Sequence, residues 1–215
     1  MENENVKNTK NSDSLETKPA EEGKKKSGYN KKLKELFTTA LYFIGVLLVT
    51  WLLITFVIQR TVVEQTSMET TLQSGDSLLV DKISYRFTDP KRFEIVIFPY
   101  KLAEKKTFYI KRVIGLPGET VRIDYDGNIY INDELLEEDY GRETIQPNSI
   151  WSAKMSEGVK LADDEYFVLG DNRNNSVDSR FDNVGPVKRD DIIGRAILRI
   201  WPLNKFGKIK KAGAE

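Results

Sequence analysis

The pattern of hydrophobic and polar positions divides the chain into three parts. Residues 1–35 are polar and rich in Lys, Glu, Asn and Ser. Such a segment cannot bury enough apolar surface to offset the entropy lost on ordering, so we predict that it is disordered. Residues 36–58 form an uncharged and mostly apolar run. Beyond residue 60, short runs rich in Val, Ile, Tyr and Phe alternate with turn-forming residues, which is typical of β-strands.

The apolar run at 36–58 predicts a transmembrane helix. A helix of this length is about 34 Å long, which is enough to cross a hydrocarbon core of about 30 Å. The run is apolar on every side, whereas a helix buried in a soluble domain normally keeps a polar stripe. A cleaved signal peptide would have a shorter apolar region followed by small residues, but here Gln59, Arg60 and Thr61 follow.

The charges that flank this helix predict its orientation. Six lysines lie between residues 24 and 34, and only Arg60 follows the apolar run directly. By the positive-inside rule, residues 1–35 are then a cytoplasmic tail and residues 59–207 form an extracellular domain, followed by a basic tail at 208–215. The prediction is a single-pass protein of the cell membrane, with the lipid bilayer as one partner.

The remaining pattern predicts a mainly β domain behind one N-terminal transmembrane helix. Asp126-Gly127 lies between two apolar runs and predicts a hairpin with a type I′ turn, which needs positive φ at both central positions. Residues 132–164 are acidic and less regular, and we predict a secondary lobe or an insertion there. The predicted strands cover 61–65, 77–85, 93–98, 107–114, 119–125, 128–131, 165–169 and 192–200.

The composition excludes several kinds of catalytic site. Lys plus Arg and Asp plus Glu number 33 each, so no overall charge favours nucleic acid as a partner. The chain contains no Cys and no His. A Ser-His-Asp or Cys-His triad is therefore impossible, zinc would lack its usual ligands, and we predict neither a metal site nor a cofactor. The base of any hydrolase site must be Lys, Asp, Glu, Tyr or a terminal amine.

Ser67 and Lys111 are candidates for a nucleophile and a base. Ser67 lies between a predicted strand and a turn, although most serines in such places only cap the turn. Lys111 shares a strand face with Tyr109 and Val113, where burial would lower its pKa and let the neutral amine accept a proton. A strand lysine that extends to water is the ordinary alternative. Arg112 cannot serve, because a guanidinium stays protonated in proteins.

The segment from Gly170 to Arg180 is dense in short polar side chains and directly follows an apolar strand. Such a cluster could orient a buried lysine through a hydroxyl and hold its own loop by an Asp–Arg pair. The same composition is equally typical of a tight surface loop or of a calcium site. The EF-hand spacing is absent, because Asp171 and Asp178 do not match it and no Glu closes the loop.

Several segments, taken in order, resemble the successive sequence boxes of the type I signal peptidases. The resemblance covers residues 36–207, and the chain has one membrane anchor and the size usual for members from Gram-positive bacteria. It implies the β fold of that family and the removal of N-terminal signal peptides from exported preproteins, with a cut after an Ala-x-Ala motif. The matching segments are Ser67-Met68-x-x-Thr71-Leu72, Gly75-Asp76, Tyr109 to Glu119, Gly170 to Arg180, and Arg195 with Trp201-Pro202.

The resemblance also implies a role for each site residue. Ser67 would attack the scissile carbonyl and form an ester acyl-enzyme. Lys111 would accept the Ser67 proton and later activate the deacylating water. Ser176 would orient the Lys111 amine, whereas Asp178 and Arg180 would brace the loop that carries it.

It further implies how a substrate is held. The Ser67 main-chain N–H would donate to the oxyanion, with Gln65 as a second donor. The substrate would bind as an extended strand beside 61–66 and 79–85, with shallow apolar pockets for small residues. The candidate substrate-binding residues are Val63, Met68, Leu79 and Val80.

Two positions depart from the pattern of the family. Thr70 stands where the family usually has Pro, which fixes φ at about −65°, and Gln65 stands where Gly or Ser is common. These departures leave a second hypothesis open, a signal-peptidase paralogue that positions surface proteins without cutting them. A self-cleaving repressor with the same pair of residues is disfavoured, since the predicted span places the domain outside the cell.

Overall fold

One long helix, α1, covers Glu21–Phe56 and contains most of the predicted membrane span. Its stretch Lys31–Ile54 is long and apolar enough to cross a membrane, and none of it is buried. The helix begins before residue 36 because the Lys and Glu residues of the preceding segment favour helix. It therefore includes residues 21–35, for which the composition predicts disorder, and it ends before Ile58, which is already in a strand.

The structure is a computed structural model, and residues 1–20 of the predicted N-terminal tail and 210–215 of the predicted basic tail lie outside the residues that it describes. The chain divides into two units, residues 1–50 and residues 51–215. The structure describes residues 21–56, 58–102, 105–141, 143–148 and 150–209.

The second unit is mainly β, as the sequence predicts, and each predicted strand has a counterpart in it. A short helix, α2, covers Ser152–Glu157. Within the described ranges the strands are β1 (Ile58–Val62), β2 (Ser77–Asp81), β3 (Ile95–Leu102), β4 (Lys105–Gly115), β5 (Thr120–Ile123), β6 (Ile129–Ile131), β7 (Glu134–Leu135), β8 (Val159–Lys160), β9 (Glu165–Leu169), β10 (Val187–Lys188), β11 (Gly194–Trp201) and β12 (Gly207–Lys208).

The larger sheet is antiparallel and has the order β1-β2-β11-β3-β4-β9-β10, with β12 paired to β11. Strand β1 lies at its edge, whereas β2 is hydrogen-bonded to β1 on one side and to β11 on the other. Strand β2 therefore has no free edge to which a substrate strand could add. This corrects the prediction that a substrate binds beside 79–85.

A smaller sheet has the order β7-β6-β5-β8. Part of 132–164, where the sequence predicts a secondary lobe or an insertion, supplies β7, β8 and α2 to it. Trp151 and Met155 are buried in the core of this sheet, where they pack in one cluster with Val121 and Phe167. The same cluster contains Phe167 and Leu169 of β9, so the smaller sheet shares part of its core with the larger sheet.

The hairpin predicted at Asp126-Gly127 joins β5 to β6, but its turn is not type I′. Gly127 has a positive φ of 85°, and Asp126 does not have a positive φ. The Asp124 carboxylate instead accepts bonds from the main-chain N–H groups of Asp126 and Asn128 and holds a wider loop. Positive φ at two successive central positions occurs one turn later, at 132–133 between β6 and β7.

Strand β4 lies between β3 and β9, and both of its faces are covered. Tyr109 and Val113 belong to a buried apolar cluster on one face, and Ile110 belongs to a second cluster on the other. Lys111 and Arg112 are both 0% exposed between them. Two buried cations on neighbouring positions of one strand require polar partners, because burial without them is costly.

Candidate active site

Lys111 and Ser67 meet at the centre of the second unit. Lys111 comes from the middle of β4, and its Nζ donates a hydrogen bond of 2.7 Å to Ser67 Oγ. The same Nζ lies 4.7 Å from the centre of the Tyr109 ring. Ser67 is 7% exposed and Lys111 is 0% exposed. The ordinary alternative for Lys111, a strand lysine that extends to water, is therefore wrong, because its amine ends inside the protein on a serine hydroxyl.

The environment of the amine shifts its protonation equilibrium toward the neutral form. Burial lowers the pKa of Lys111 from 10.5 to about 8, since the charged form loses its hydration. The Asp178 carboxylate opposes this by raising the pKa, the Arg180 guanidinium lowers it, and the Asp171 carboxylate raises it again by a smaller amount. The result is an amine that can exchange a proton with a neighbouring hydroxyl near neutral pH.

Ser67 begins a tight turn that follows the edge strand β1. The turn is closed by main-chain bonds from Glu69 to the Thr66 carbonyl and from Leu72 to the Met68 carbonyl. Met68 and Leu72 are buried and anchor the turn in the core. The Ser67 main-chain N–H donates to no acceptor in the part of the chain that the structure describes.

The carbonyl groups of this turn are held by the loop that follows β9. The main-chain N–H of Asn172 donates to the Ser67 carbonyl at 3.0 Å, and the Asn172 side-chain amide donates to the Thr66 carbonyl at 3.1 Å. Asn172 is 2% exposed, so these bonds are shielded from water. The sequence interpretation did not single out Asn172, although its place directly after the strand in the Gly170 segment was a signal for it.

A buried ion pair braces the same turn from the other side. Arg112 donates to both carboxylate oxygens of Asp171, at 2.8 and 2.7 Å. The Thr71 hydroxyl donates to Asp171 Oδ2 at 2.5 Å and accepts from Arg112 at 3.2 Å. The sequence interpretation excluded Arg112 as the base and missed this second role. Because neighbouring strand residues point to opposite faces, Arg112 leaves β4 on the face opposite Lys111.

Asp178 and Arg180 form a second buried ion pair, within the loop itself. Arg180 donates to both Asp178 oxygens, at 2.8 and 2.9 Å, and also to the Arg173 carbonyl at 2.6 Å. Asp178 Oδ2 accepts from the Gly170 main-chain N–H at 3.1 Å. These bonds stabilise the loop conformation, and neither residue hydrogen-bonds to Ser67 or Lys111.

Ser176 lies beside this site, and its hydroxyl oxygen is buried with no hydrogen-bond partner among the described residues. A Cβ added to Gly170 would lie 2.3 Å from Ser176 Oγ and 2.5 Å from the Ser67 carbonyl oxygen, so only glycine fits there. The Ser176 hydroxyl and the Ser67 carbonyl thus both border the space that a side chain at position 170 would occupy. No hydrogen bond joins Ser176 to Lys111, and its role in orienting the amine stays a prediction.

An open groove of about 380 Å³ runs past the Ser67 hydroxyl. Of the predicted substrate-binding residues, Val63 and Met68 line it. Leu79 and Val80 do not, because they lie on β2 inside the sheet, where Val80 packs in the apolar core. The lining residues are Arg60, Thr61, Val62, Val63, Glu64, Gln65, Ser67, Met68, Thr107, Phe108 and Ile110.

Comparison with known proteins confirms the resemblance to signal peptidases. The family model described as signal peptidase, peptidase S26, matches residues 35–201. The chain is 45% identical over 141 residues to the "Probable signal peptidase I-2" of Synechocystis sp., a match that covers 64% of this chain and 60% of that protein.

Two further relatives carry the same name without the number. The chain is 44% identical over 145 residues to the signal peptidase I of Leptolyngbya laminosa, covering 65% of this chain and 66% of the relative. It is 38% identical over 144 residues to the signal peptidase I of Bacillus caldolyticus, covering 63% and 75%. The chain thus spans less than two thirds of the length of the first two relatives.

Proposed function

We propose that this chain, which belongs to the signal peptidase family, peptidase S26, is a membrane-bound serine endopeptidase that removes signal peptides from exported preproteins. The observation that carries the proposal is the 2.7 Å hydrogen bond between Lys111 Nζ and Ser67 Oγ, made by a buried amine with a pKa of about 8. A buried amine on a serine hydroxyl supplies both the nucleophile and the base of a hydrolase.

The proposed reaction proceeds in two halves. Neutral Lys111 takes the proton of the Ser67 hydroxyl while Ser67 Oγ attacks the scissile carbonyl, and the new ammonium then gives that proton to the leaving amine. An ester acyl-enzyme on Ser67 remains. Lys111 then takes a proton from a water molecule, which attacks the ester, and the proton returns to Ser67 Oγ as the acid product leaves.

We assign two groups to stabilise the oxyanion. The Ser67 main-chain N–H has no acceptor in the described ranges and so remains available for the substrate oxygen. Gln65 lines the groove two residues earlier, and its exposed side-chain amide is a second donor. One such donor typically contributes about 3 kcal/mol to lowering the barrier. The unpartnered Ser176 hydroxyl is the group we assign to orienting the Lys111 amine.

The edge of the larger sheet supports binding of an extended substrate. The main-chain groups of Glu64 and Gln65 form no hydrogen bonds within the described residues, so a substrate strand can pair with them. Val63 and Met68 line the groove as buried apolar residues, and we propose that they form the floor of shallow substrate pockets. Small side chains such as those of an Ala-x-Ala motif fit such pockets.

The apolar part of α1 serves as the anchor in this proposal. The lysines that precede it place the N-terminus in the cytoplasm by the positive-inside rule, and the second unit then works on the extracellular face. Preproteins meet the enzyme on that face while their own signal peptides are still in the bilayer.

Cleavage of a preprotein tests the proposal directly. We expect the purified full chain in lipid vesicles to cut a preprotein once, after the second alanine of an Ala-x-Ala motif, as read by mass spectrometry. The matched control is the same preprotein with Phe in place of that alanine, which should be cut at least about tenfold more slowly because the groove is shallow. Equal cleavage of both preproteins, or cuts elsewhere, would refute the assigned activity.

The pH dependence of the same reaction is expected to follow Lys111. Below its pKa of about 8 the amine is protonated and cannot act as a base. The rate should therefore rise about tenfold per pH unit up to about pH 8 and then level off. Because the chain has no His, no separate ionisation near pH 6.5 is expected. A rate that stays flat between about pH 6 and pH 10 would exclude Lys111 as the base.

The non-cutting paralogue is distinguished by the chemistry of Ser67. A penem that acylates serine peptidases should add its mass to Ser67 in a folded, active enzyme. A folded chain that neither cuts the preprotein nor takes up the penem would favour the paralogue. A chain that takes up the penem without cutting the preprotein would leave the dyad in place and require a different substrate.

A further inference from the structure

The nucleophile turn, residues 66–72, contains a residue in a strained backbone conformation. Thr70 is β-branched and has a φ of 138°, in the region that favours glycine. The turn is closed around it by bonds from the N–H groups of Thr71 and Leu72 to the Met68 carbonyl. A strained residue persists only where its surroundings hold it in place. The contacts of this turn therefore reveal what positions the nucleophile.

Two neighbouring hydroxyls hold the turn in different directions. The Thr71 hydroxyl donates to Asp171, which belongs to the buried ion pair. The Thr70 hydroxyl donates to the main-chain carbonyl of Tyr140 at 3.1 Å. Tyr140 lies far along the chain, in residues 138–141, which we call the clamp segment. The nucleophile turn is thus tied both to the core of the larger sheet and to the clamp segment.

The Tyr140 side chain covers the arginine of the buried ion pair. The guanidinium carbon of Arg112 lies 4.0 Å from the centre of the Tyr140 ring, a distance at which a cation is attracted to the ring face. The ring also meets Phe93 edge-on, at 5.6 Å between ring centres. The Phe93 carbonyl in turn accepts a hydrogen bond of 2.9 Å from Arg112 Nη1. Tyr140 and Phe93 together therefore enclose the guanidinium that braces the turn.

The clamp segment is itself fixed to the loop that holds the Ser67 carbonyl. The Tyr140 hydroxyl donates to Glu138 at 2.8 Å, and Glu138 pairs with Arg173 at 2.7 Å. Arg173 is 2% exposed and donates to the Gly170 carbonyl at 3.0 Å. Burial raises the pKa of Tyr140, so its phenol stays a donor at the pH of any assay. The clamp segment is thus connected by hydrogen bonds both to the loop and to the turn.

We propose that Tyr140 is a positioning residue for Ser67, acting through Arg112 and Thr70; this inference rests on the proposed peptidase function. Tyr140 is not among the residues that line the groove, so it does not contact a substrate bound there. Its loss should disturb the orientation of the nucleophile and leave substrate binding intact. We therefore expect a Tyr140 variant to have a lower kcat and an unchanged KM.

Steady-state kinetics of two Tyr140 variants of the full chain test this expectation. Tyr140→Leu removes the ring from Arg112, and we expect kcat per folded enzyme to fall about tenfold while KM stays within about twofold. Tyr140→Phe keeps the ring and the main-chain carbonyl and should retain more than about half of the wild-type kcat. An unchanged kcat in Tyr140→Leu, or a rise in KM alone, would overturn the proposal.

Variants of Thr70 test the other contact without touching a buried side chain. Thr70→Ser keeps the hydroxyl and should leave kcat unchanged, whereas Thr70→Val removes it and should lower kcat about threefold or more. A Thr70→Val enzyme with full kcat would contradict the role assigned to the clamp segment.

A measurement that does not need activity separates this inference from the proposed function. Amide hydrogen exchange reports on the N–H groups of Thr71 and Leu72, which close the turn. Tyr140→Leu should speed their exchange about tenfold, with Tyr140→Phe and the amides of the larger sheet unchanged. If the wild type cuts no preprotein but this change is seen, the proposed function fails and the positioning role stands. Unchanged exchange at both amides would end the positioning role by itself.

Discussion

Replacing Lys111 by methionine is expected to abolish cleavage without weakening the fold. Methionine fills a similar volume but carries no basic atom to take the proton that Lys111 Nζ receives from Ser67 Oγ at 2.7 Å. Removal of a general base of this kind lowers the rate by about 10³-fold or more. Preprotein cleavage by the purified variant measures the loss, and Ser67→Ala should show the same loss because both residues act in one step.

The stability of this variant distinguishes a lost base from a lost fold. In the unfolded chain Lys111 titrates with its ordinary pKa of 10.5, and in the folded chain it titrates at about 8. Between these two values the folded state binds fewer protons, so the free energy of unfolding rises with pH across this interval. Below about pH 8 the buried amine costs the wild type about 3 kcal/mol relative to high pH, and Lys111→Met removes this cost.

We therefore expect Lys111→Met to unfold at the same or a higher temperature than the wild type at neutral pH, and to lose the rise in stability above about pH 8. Lys188→Met is the matched control, since Lys188 is exposed on β10. Lys188→Met should change neither the rate of preprotein cleavage nor the temperature of unfolding. Cleavage retained by Lys111→Met above the level of Ser67→Ala would end the assignment of Lys111 as the base.

Replacing Asp171 by alanine is expected to lower the free energy of unfolding more than any other substitution proposed for this chain. The Asp171 and Arg112 side chains are 0% and 1% exposed, so the substitution leaves a buried guanidinium without its carboxylate. Breaking a buried pair in this way typically costs about 3–5 kcal/mol. The Thr71 hydroxyl loses its acceptor at the same time. Urea unfolding followed by tryptophan fluorescence, to which the buried Trp151 contributes, measures the change.

An exposed ion pair of the same chemistry gives the matched control. The Asp89 side chain is 80% exposed where it pairs with Arg189, and Asp89→Ala should cost no more than about 1 kcal/mol. The double variant Arg112→Met with Asp171→Leu removes both buried charges and should recover much of the stability lost by Asp171→Ala. If Asp171→Ala costs no more than Asp89→Ala, the buried pair does not brace the nucleophile turn.

The sequence predicts best those features that local patterns control. Alternating apolar residues report burial directly, so the strand that carries Lys111 and its apolar neighbours Tyr109 and Val113 could be identified before the fold was known. The same reasoning identifies the apolar helix and the hairpin between β5 and β6. The turn of that hairpin could not be assigned correctly, because the Asp124 side chain replaces the main-chain geometry that Asp126-Gly127 alone would favour.

Features that depend on distant parts of the chain could not be predicted. The residues of β2 do not show whether it is an edge strand of the sheet. Its pairing with β11, over a hundred residues later in the chain, places it inside the sheet. Arg112 and Asp171 are separated by 59 positions, and nothing local distinguishes their pairing from that of any other Asp and Arg. The contact of Tyr140 with Thr70 has no local signal either, since it uses a main-chain carbonyl that every residue possesses.

The way in which Asn172 holds the nucleophile has a consequence for how this enzyme can evolve. Asn172 binds the main-chain carbonyls of Thr66 and Ser67, and not the side chain of either residue. The Thr66 side chain is exposed, and its substitution therefore leaves this attachment in place. Under the proposed function, the residue at position 66 can change while the attachment that positions Ser67 is preserved. An attachment made through main-chain carbonyls therefore places no demand on the side chain at this position, and relatives of the chain can vary there with little risk to the geometry of the nucleophile.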